Sequence, residues 1–156
     1  MVNIVIEVSK YLLILLIAAY TYWNFSYFRF RDPWQQGRVC VRQNAAMFLL
    51  HFVAYAVLFL KSEDERVILF YLAQVVFLAV YLGLYKVFYP LRSRLLVNNM
   101  CMLLCIGFVI LTRLDFDKAI RQFVIVAISA LITWIIPFIL ERVWQLANIP
   151  WVYGFA

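Results

Sequence analysis

Long apolar runs separated by short charged segments are the dominant pattern along this chain. The runs cover about residues 11–28, 43–60, 67–85, 95–112 and 122–140. A bilayer core about 30 Å thick needs about 20 apolar residues in a helix to cross it. Because backbone polar groups in lipid must be satisfied within the segment, each run is predicted to be a transmembrane helix. The stretch 149–156 is too short to cross and is interpreted as the start of a sixth span.

The composition places the chain among polytopic membrane proteins. Apolar residues make up 67% of its 156 residues and the mean hydropathy is +0.92, whereas soluble domains are about 45–50% apolar. A buried soluble core would explain one such run but not five. The predicted fold class is therefore all-α: a polytopic integral membrane helix bundle with five transmembrane helices and the start of a sixth.

The charged residues lie in the connections and predict an orientation. The formal net charge is +6, and basic residues are concentrated in the loop 29–42 and in the segment 86–94. Since Lys and Arg are enriched in cytoplasmic loops, both segments are predicted to be cytoplasmic and the N-terminus to lie outside. This distribution explains the basic charge, so no nucleic-acid partner is expected. Pro33 and Gly37 are interpreted as helix breakers in the first of these loops.

Neither a catalytic constellation nor a metal site is assigned from the residues. Cys101 and Cys105 share a helix face, but no His or carboxylate lies nearby in sequence, so packing between membrane helices is favoured over metal ligation. Cys40 falls in the first basic loop. The sequence contains no Gly-rich phosphate loop and no Ser/His/Asp set.

Among the polar residues inside the predicted spans, four are candidates for a role: His51, Gln74, Asn98 and Asn99. Polar side chains at that depth are costly and usually face the bundle interior, so a structural role is favoured for all four. His51 and Gln74 lie near the middle of spans two and three, and a hydrogen bond between them would contribute about 0.6 kcal/mol. A proton relay would need a second ionisable group at depth. Asn98 and Asn99 are interpreted as helix–helix contacts near the inner end of span four.

The connector between spans four and five carries the candidate substrate-binding group. Its members are Arg113, Lys118, Arg121 and Gln122, on the predicted outer face. Arg is suited to bidentate contacts with phosphate, so this patch is a candidate for holding the phosphates of a lipid-linked substrate. The alternative is a solvated, self-neutralising turn in which Asp115 or Asp117 caps the fifth helix.

The same connector resembles the start of the FtsW/RodA/SpoVE (SEDS) family of peptidoglycan glycosyltransferases. The resemblance lies in a span ending IGFVILTRLD and in the following run DKAIRQFVIVAISALI. The matching positions are Gly107, Arg113, Leu114, Asp115, Ala119, Arg121 and Gln122. The family places this connector outside, in agreement with the orientation from the charges. The resemblance covers about residues 90–156, so residues 1–89 would be an N-terminal membrane extension of three helices.

The resemblance implies a role in bacterial cell-wall synthesis. Complete family members polymerise peptidoglycan from lipid II at the outer leaflet of the cytoplasmic membrane, beside a class B penicillin-binding transpeptidase, in cell shape, division or sporulation. It implies no cofactor in this chain and allows a divalent cation in the complete enzyme. The family's catalytic aspartate lies in a later outer loop, so the chain is interpreted as an N-terminal fragment or a truncated, non-catalytic relative. The alternative function is a small non-enzymatic membrane scaffold or interaction protein.

Overall fold

Helices account for nearly all of the computed structural model, which describes residues 2–88 and 93–147, with side chains for 4–88 and 93–136. The helices are α1 (Val2–Arg29), α2 (Pro33–Ser62), α3 (Glu65–Phe88), α4 (Arg94–Leu114) and α5 (Phe116–Ala147). Each is long and apolar enough to cross a membrane. The predicted all-α bundle of five spans is therefore confirmed, and the predicted start of a sixth span lies outside the described residues.

The helices extend beyond the apolar runs that predicted them. The clearest case is α2, whose 30 residues correspond to about 45 Å at about 1.5 Å per residue. This length exceeds the hydrocarbon core of about 30 Å and matches the bilayer including its head-group regions, about 40–45 Å. Helix α2 is therefore long enough for both of its ends to reach the level of the lipid head groups.

The start of α2 corrects the predicted loop 29–42, because only residues 30–32 separate α1 from α2. Asp32 is the N-cap and accepts a hydrogen bond from the Trp34 backbone N–H at 3.1 Å. Pro33 lies in the first turn, where its missing N–H is tolerated. The interpretation of Pro33 and Gly37 as helix breakers is wrong, and Cys40 is a buried residue of α2 rather than a loop residue.

Helices α1 to α4 and the first turn of α5 form one compact unit, residues 1–120. Within it α1 packs on α2, and α4 packs on both α2 and α3. Completely buried core side chains include Met47, Leu78, Cys101 and Cys105. The prediction that these two cysteines pack between helices is confirmed. Residues 121–156 form a second unit, whose described part is the remainder of α5.

The connections of the first unit alternate between its two ends. The end of α1 and the starts of α2 and α4 lie at one end, which we call the basic end. At the opposite end, Glu63 stops α2 in a left-handed conformation with φ 53°, and Asp115 alone separates α4 from α5. Which end faces the cytoplasm, and the proposed division of the chain at residue 89, stay predictions.

Candidate functional site

A buried amide on α4 ties this helix to α2 near the basic end. Asn98 is 4% exposed. Its Nδ2 donates to the Cys40 backbone carbonyl at 3.1 Å and to Gln43 Oε1 at 3.2 Å. The Cys40 carbonyl lies within α2, so Asn98 joins the two helices through both a main-chain and a side-chain acceptor.

The neighbouring amide, Asn99, continues these contacts to α1. Its Nδ2 donates to Asn24 Oδ1 at 3.1 Å, and the Tyr20 hydroxyl donates to Asn99 Oδ1 at 3.0 Å. Gln43 Nε2 also reaches Asn24 Oδ1 at 3.5 Å. We call Tyr20, Asn24, Gln43, Asn98 and Asn99 the polar network. It links α1, α2 and α4 in a single set of hydrogen bonds.

Asn98 and Asn99 both hydrogen-bond to other helices, and the sequence identified none of their partners. Gln43 is completely buried, although the sequence places it at the edge of a predicted span. Asn24 sits among the aromatic residues at the end of α1. A polar residue at the edge of an apolar run is normally read as solvated, and only the early start of α2 brings Gln43 inside the bundle.

His51 and Gln74 are also completely buried, as predicted. The predicted hydrogen bond between them is not formed, because both imidazole nitrogens and both amide atoms lack a hydrogen-bond partner among the described residues. The imidazole instead packs against Tyr55 and Tyr71, with ring centroids 4.8 and 5.3 Å away. Tyr71 lies one turn before Gln74 on α3 and occupies the position facing the imidazole.

The Tyr55 hydroxyl lies close to Gln74 but forms its hydrogen bond with another residue. It forms a hydrogen bond of 2.8 Å with the Thr112 hydroxyl on α4, and Gln74 has no hydrogen bond of good geometry. His51 and Gln74 therefore lie in a layer of aromatic side chains, which we call the aromatic layer. The hydrogen bond in this layer joins Tyr55 to Thr112 and involves neither His51 nor Gln74.

At the opposite end, Asp115 caps α5. Its Oδ1 accepts the Lys118 backbone N–H at 3.0 Å and its backbone carbonyl accepts that of Ala119 at 3.0 Å. The Lys118 ammonium lies 3.1 Å from the Asp115 carboxylate. The hydrogen bonds from the backbone and side chain of Lys118 lower the pKa of Asp115 below its ordinary value. Of the two candidate caps, Asp115 takes the role.

The four members of the candidate substrate-binding patch differ in their surroundings. Arg113 and Lys118 are exposed side chains of the first unit, and Arg121 and Gln122 are exposed side chains at the start of the second. The charge of Lys118 is compensated by Asp115. In the described parts of the chain, Arg113 and Arg121 form no ion pair.

Packing fixes the start of α5 in the first unit. Ala119 is completely buried, and the Phe116 ring meets Phe70 of α3 edge to face at 5.4 Å. Two apolar side chains thus anchor the turn next to the exposed Arg113.

Across the described ranges, no group of three metal-ligating side chains comes together. No family model, curated protein or solved structure matches this chain.

Proposed function

We propose that this chain is the N-terminal membrane portion of a peptidoglycan polymerase of the FtsW/RodA/SpoVE type. In this proposal the turn between α4 and α5 faces the outside of the bacterial cytoplasmic membrane and contacts the diphosphate of lipid II. The resemblance at Arg113, Asp115, Ala119 and Arg121 supports it. Glycosyl transfer by the complete enzyme, its transpeptidase partner and a divalent cation belong to the same proposal.

The observation that carries the proposal is that the residues that fix the turn differ from the residue that presents an exposed positive charge. Asp115 and Ala119 hold it in place, the first as a cap and the second by burial. Lys118 is paired with Asp115, so Arg113 keeps a positive charge that no carboxylate of the described residues neutralises. An exposed guanidinium beside a fixed turn is suited to a phosphate, because it offers several N–H donors in a planar arrangement.

The test is the binding of lipid II to the purified chain in detergent micelles. The Arg113→Ala/Arg121→Ala variant is expected to bind at least about tenfold more weakly than wild type, since hydrogen bonds to charged groups contribute about 1.5–3 kcal/mol each. Lys118→Ala is expected to weaken binding less than Arg113→Ala, because the Lys118 charge is already paired.

The matched control is Lys10→Ala/Arg66→Ala, which removes two exposed cations from the same predicted side of the membrane. It should leave the affinity within about twofold of wild type, because cations away from the phosphate contribute only a screened attraction. An equal loss in this control would reduce the effect to general charge and contradict a contact at the turn. Absence of saturable binding to wild type would favour the alternative, a non-enzymatic membrane scaffold.

A further inference from the structure

Three adjoining cavities open at the basic end, and Gly37 and Arg94 line all of them. Their volumes are about 410, 240 and 250 Å³. The Arg94 Nη1 atom lies 3.6 Å from the place that a Cβ on Gly37 would occupy, so the guanidinium crosses α2 at a residue without a side chain. We call the three cavities together the basic cleft.

Among the residues that the structure describes, the cleft is lined by cations and by no carboxylate. Its charged residues are Arg38, Arg42, Lys86 and Arg94. None of these four forms an ion pair with another residue that the structure describes. The acid nearest in sequence, Asp32, is engaged as the cap of α2. The cleft therefore concentrates positive charge from three helices, and no described carboxylate pairs with it.

Two helix starts add to this positive field. α2 begins at Pro33, which lines two of the cavities, and α4 begins at Arg94, which lines all three. The N-terminal end of a helix carries a partial positive charge and favours anions. Because both helices begin at the cleft, their dipoles act in the same direction as the four side-chain charges.

The position of the cleft along α2 places it among lipid head groups. Arg38 and Arg42 lie five and nine residues after Pro33, or about 8 and 14 Å along a helix of about 45 Å. The head-group layer is about 5–8 Å thick at each end, so the backbone of Arg38 lies at its inner edge, and the long Arg42 side chain extends back toward it from just below. Trp34 is 66% exposed, and the Arg38 guanidinium stacks over its ring at 4.8 Å. Exposed Trp side chains are typical of the membrane interface. At this level the abundant anion is the phosphate of a lipid.

We infer that the basic cleft binds the head-group phosphate of an anionic phospholipid, with Arg94 at its centre. Arg94 offers a fork of N–H donors to the phosphate, Arg38 and Arg42 flank it on α2, and Lys86 approaches from α3. Basic pockets between transmembrane helices bind lipid head groups by this chemistry. The site is separate from the turn between α4 and α5 and does not depend on the proposed function.

The experiment is a lipid titration of the full chain in neutral detergent, with bound lipids counted by native mass spectrometry. The probes are dioleoyl-phosphatidylglycerol, dioleoyl-phosphatidylcholine and inorganic phosphate. Phosphatidylglycerol is expected to bind saturably and at least about tenfold more tightly than phosphatidylcholine, because only the former keeps a net charge for the cations of the cleft. Inorganic phosphate should displace it only at far higher concentration, since it lacks the anchoring acyl chains.

Three variants separate a built site from a generally basic surface. Arg38→Gln/Arg94→Gln should weaken phosphatidylglycerol binding roughly thirtyfold, at about fivefold per cation. Gly37→Leu keeps every charge but fills the cleft, and should also weaken binding. The charge-matched control, Lys61→Gln/Arg66→Gln, removes two exposed cations at the opposite end of the bundle and should change binding less than about twofold.

The control measurement for folding is the helical circular dichroism signal of each variant, which should equal that of wild type. The inference is overturned if the opposite-end control loses as much affinity as Arg38→Gln/Arg94→Gln, or if Gly37→Leu binds like wild type. Equal affinity for phosphatidylcholine would overturn it as well. Displacement by inorganic phosphate at the lipid's own concentration would assign the cleft to a free anion instead of a phospholipid.

Discussion

Two groups of buried polar side chains in the same helical unit differ in whether they form hydrogen bonds. In the polar network, Asn98 and Gln43 hydrogen-bond to each other, and the contacts extend to α1. In the aromatic layer, His51 and Gln74 are buried just as completely but make no hydrogen bond with a described residue. Burial alone therefore does not tell whether an intramembrane polar residue joins helices.

The difference follows from what lies opposite each side chain. The network amides face other amides and a main-chain carbonyl, which supply matching donors and acceptors. His51 faces tyrosine rings, and the Tyr55 hydroxyl near Gln74 hydrogen-bonds to Thr112. A buried polar group without a partner costs about 1–3 kcal/mol. The polar network should therefore stabilise the bundle, whereas the burial of His51 and Gln74 should lower its stability.

The largest effect is expected for Asn98→Leu, which tests the polar network. This substitution removes two hydrogen bonds: the Gln43 Oε1 atom loses its Asn98 donor, and the Cys40 carbonyl, which lies within α2, loses its contact with α4. The free energy of unfolding should fall by about 1–3 kcal/mol, measured by detergent-induced unfolding in micelles. Asn44→Leu is the control, because its buried Oδ1 has no hydrogen-bond partner among the described residues, and it should leave the free energy of unfolding unchanged or raise it. Equal losses in the two variants would contradict the network.

A matched pair of glutamine substitutions tests the comparison directly. Gln43→Met should lower the free energy of unfolding by about 1 kcal/mol, whereas Gln74→Met should leave it unchanged or raise it by up to about 1 kcal/mol. Methionine fills a similar volume to glutamine. At position 43 the substitution removes hydrogen bonds, whereas at position 74 it removes only the cost of burying an amide without partners. The same unfolding titration measures both. Destabilisation by Gln74→Met would mean that Gln74 has a partner in the membrane.

The smallest effect is expected at Asp115, because its carboxylate is hydrogen-bonded to Lys118 at the surface and not in the core. The pKa of Asp115 is lowered in the folded chain by its hydrogen bonds to Lys118. Its contribution to stability is therefore present above the unfolded pKa and is lost as the pH falls through the lower folded value.

This pH dependence is measured by comparing wild type with Asp115→Asn from neutral pH down to about pH 2. Because asparagine is also a good N-cap, the variant should fold at all these pH values. The difference in unfolding free energy between the two proteins should shrink on acidification below the ordinary pKa of Asp. A difference that does not change with pH would contradict the assigned cap.

The number and type of the helices follow from the sequence, because five long apolar runs admit few other structures in lipid. The burial of His51, Gln74, Asn98 and Cys101 also follows, since membrane helices turn such residues inward. The start of α2 at Pro33 does not follow from the sequence. Asp32 and Pro33 form an N-cap followed by a first-turn proline, but the pattern is equally typical of a turn. The difference moves Cys40 from a predicted loop into the bundle, and Gln43 from the edge of a predicted span into the bundle interior.

What the sequence determined by itself is a five-span helical protein with a modest excess of basic residues on one side. Only the tertiary structure decided which polar residues meet, because partners such as Tyr20 and Asn99 lie far apart in the chain and depend on how the helices are rotated. It also decided that Gly37, Arg94 and Lys86, from three different helices, line one cleft. Sequence periodicity specifies which residues share a helix face, whereas hydrogen bonds and clefts depend on the pairing of faces across helices.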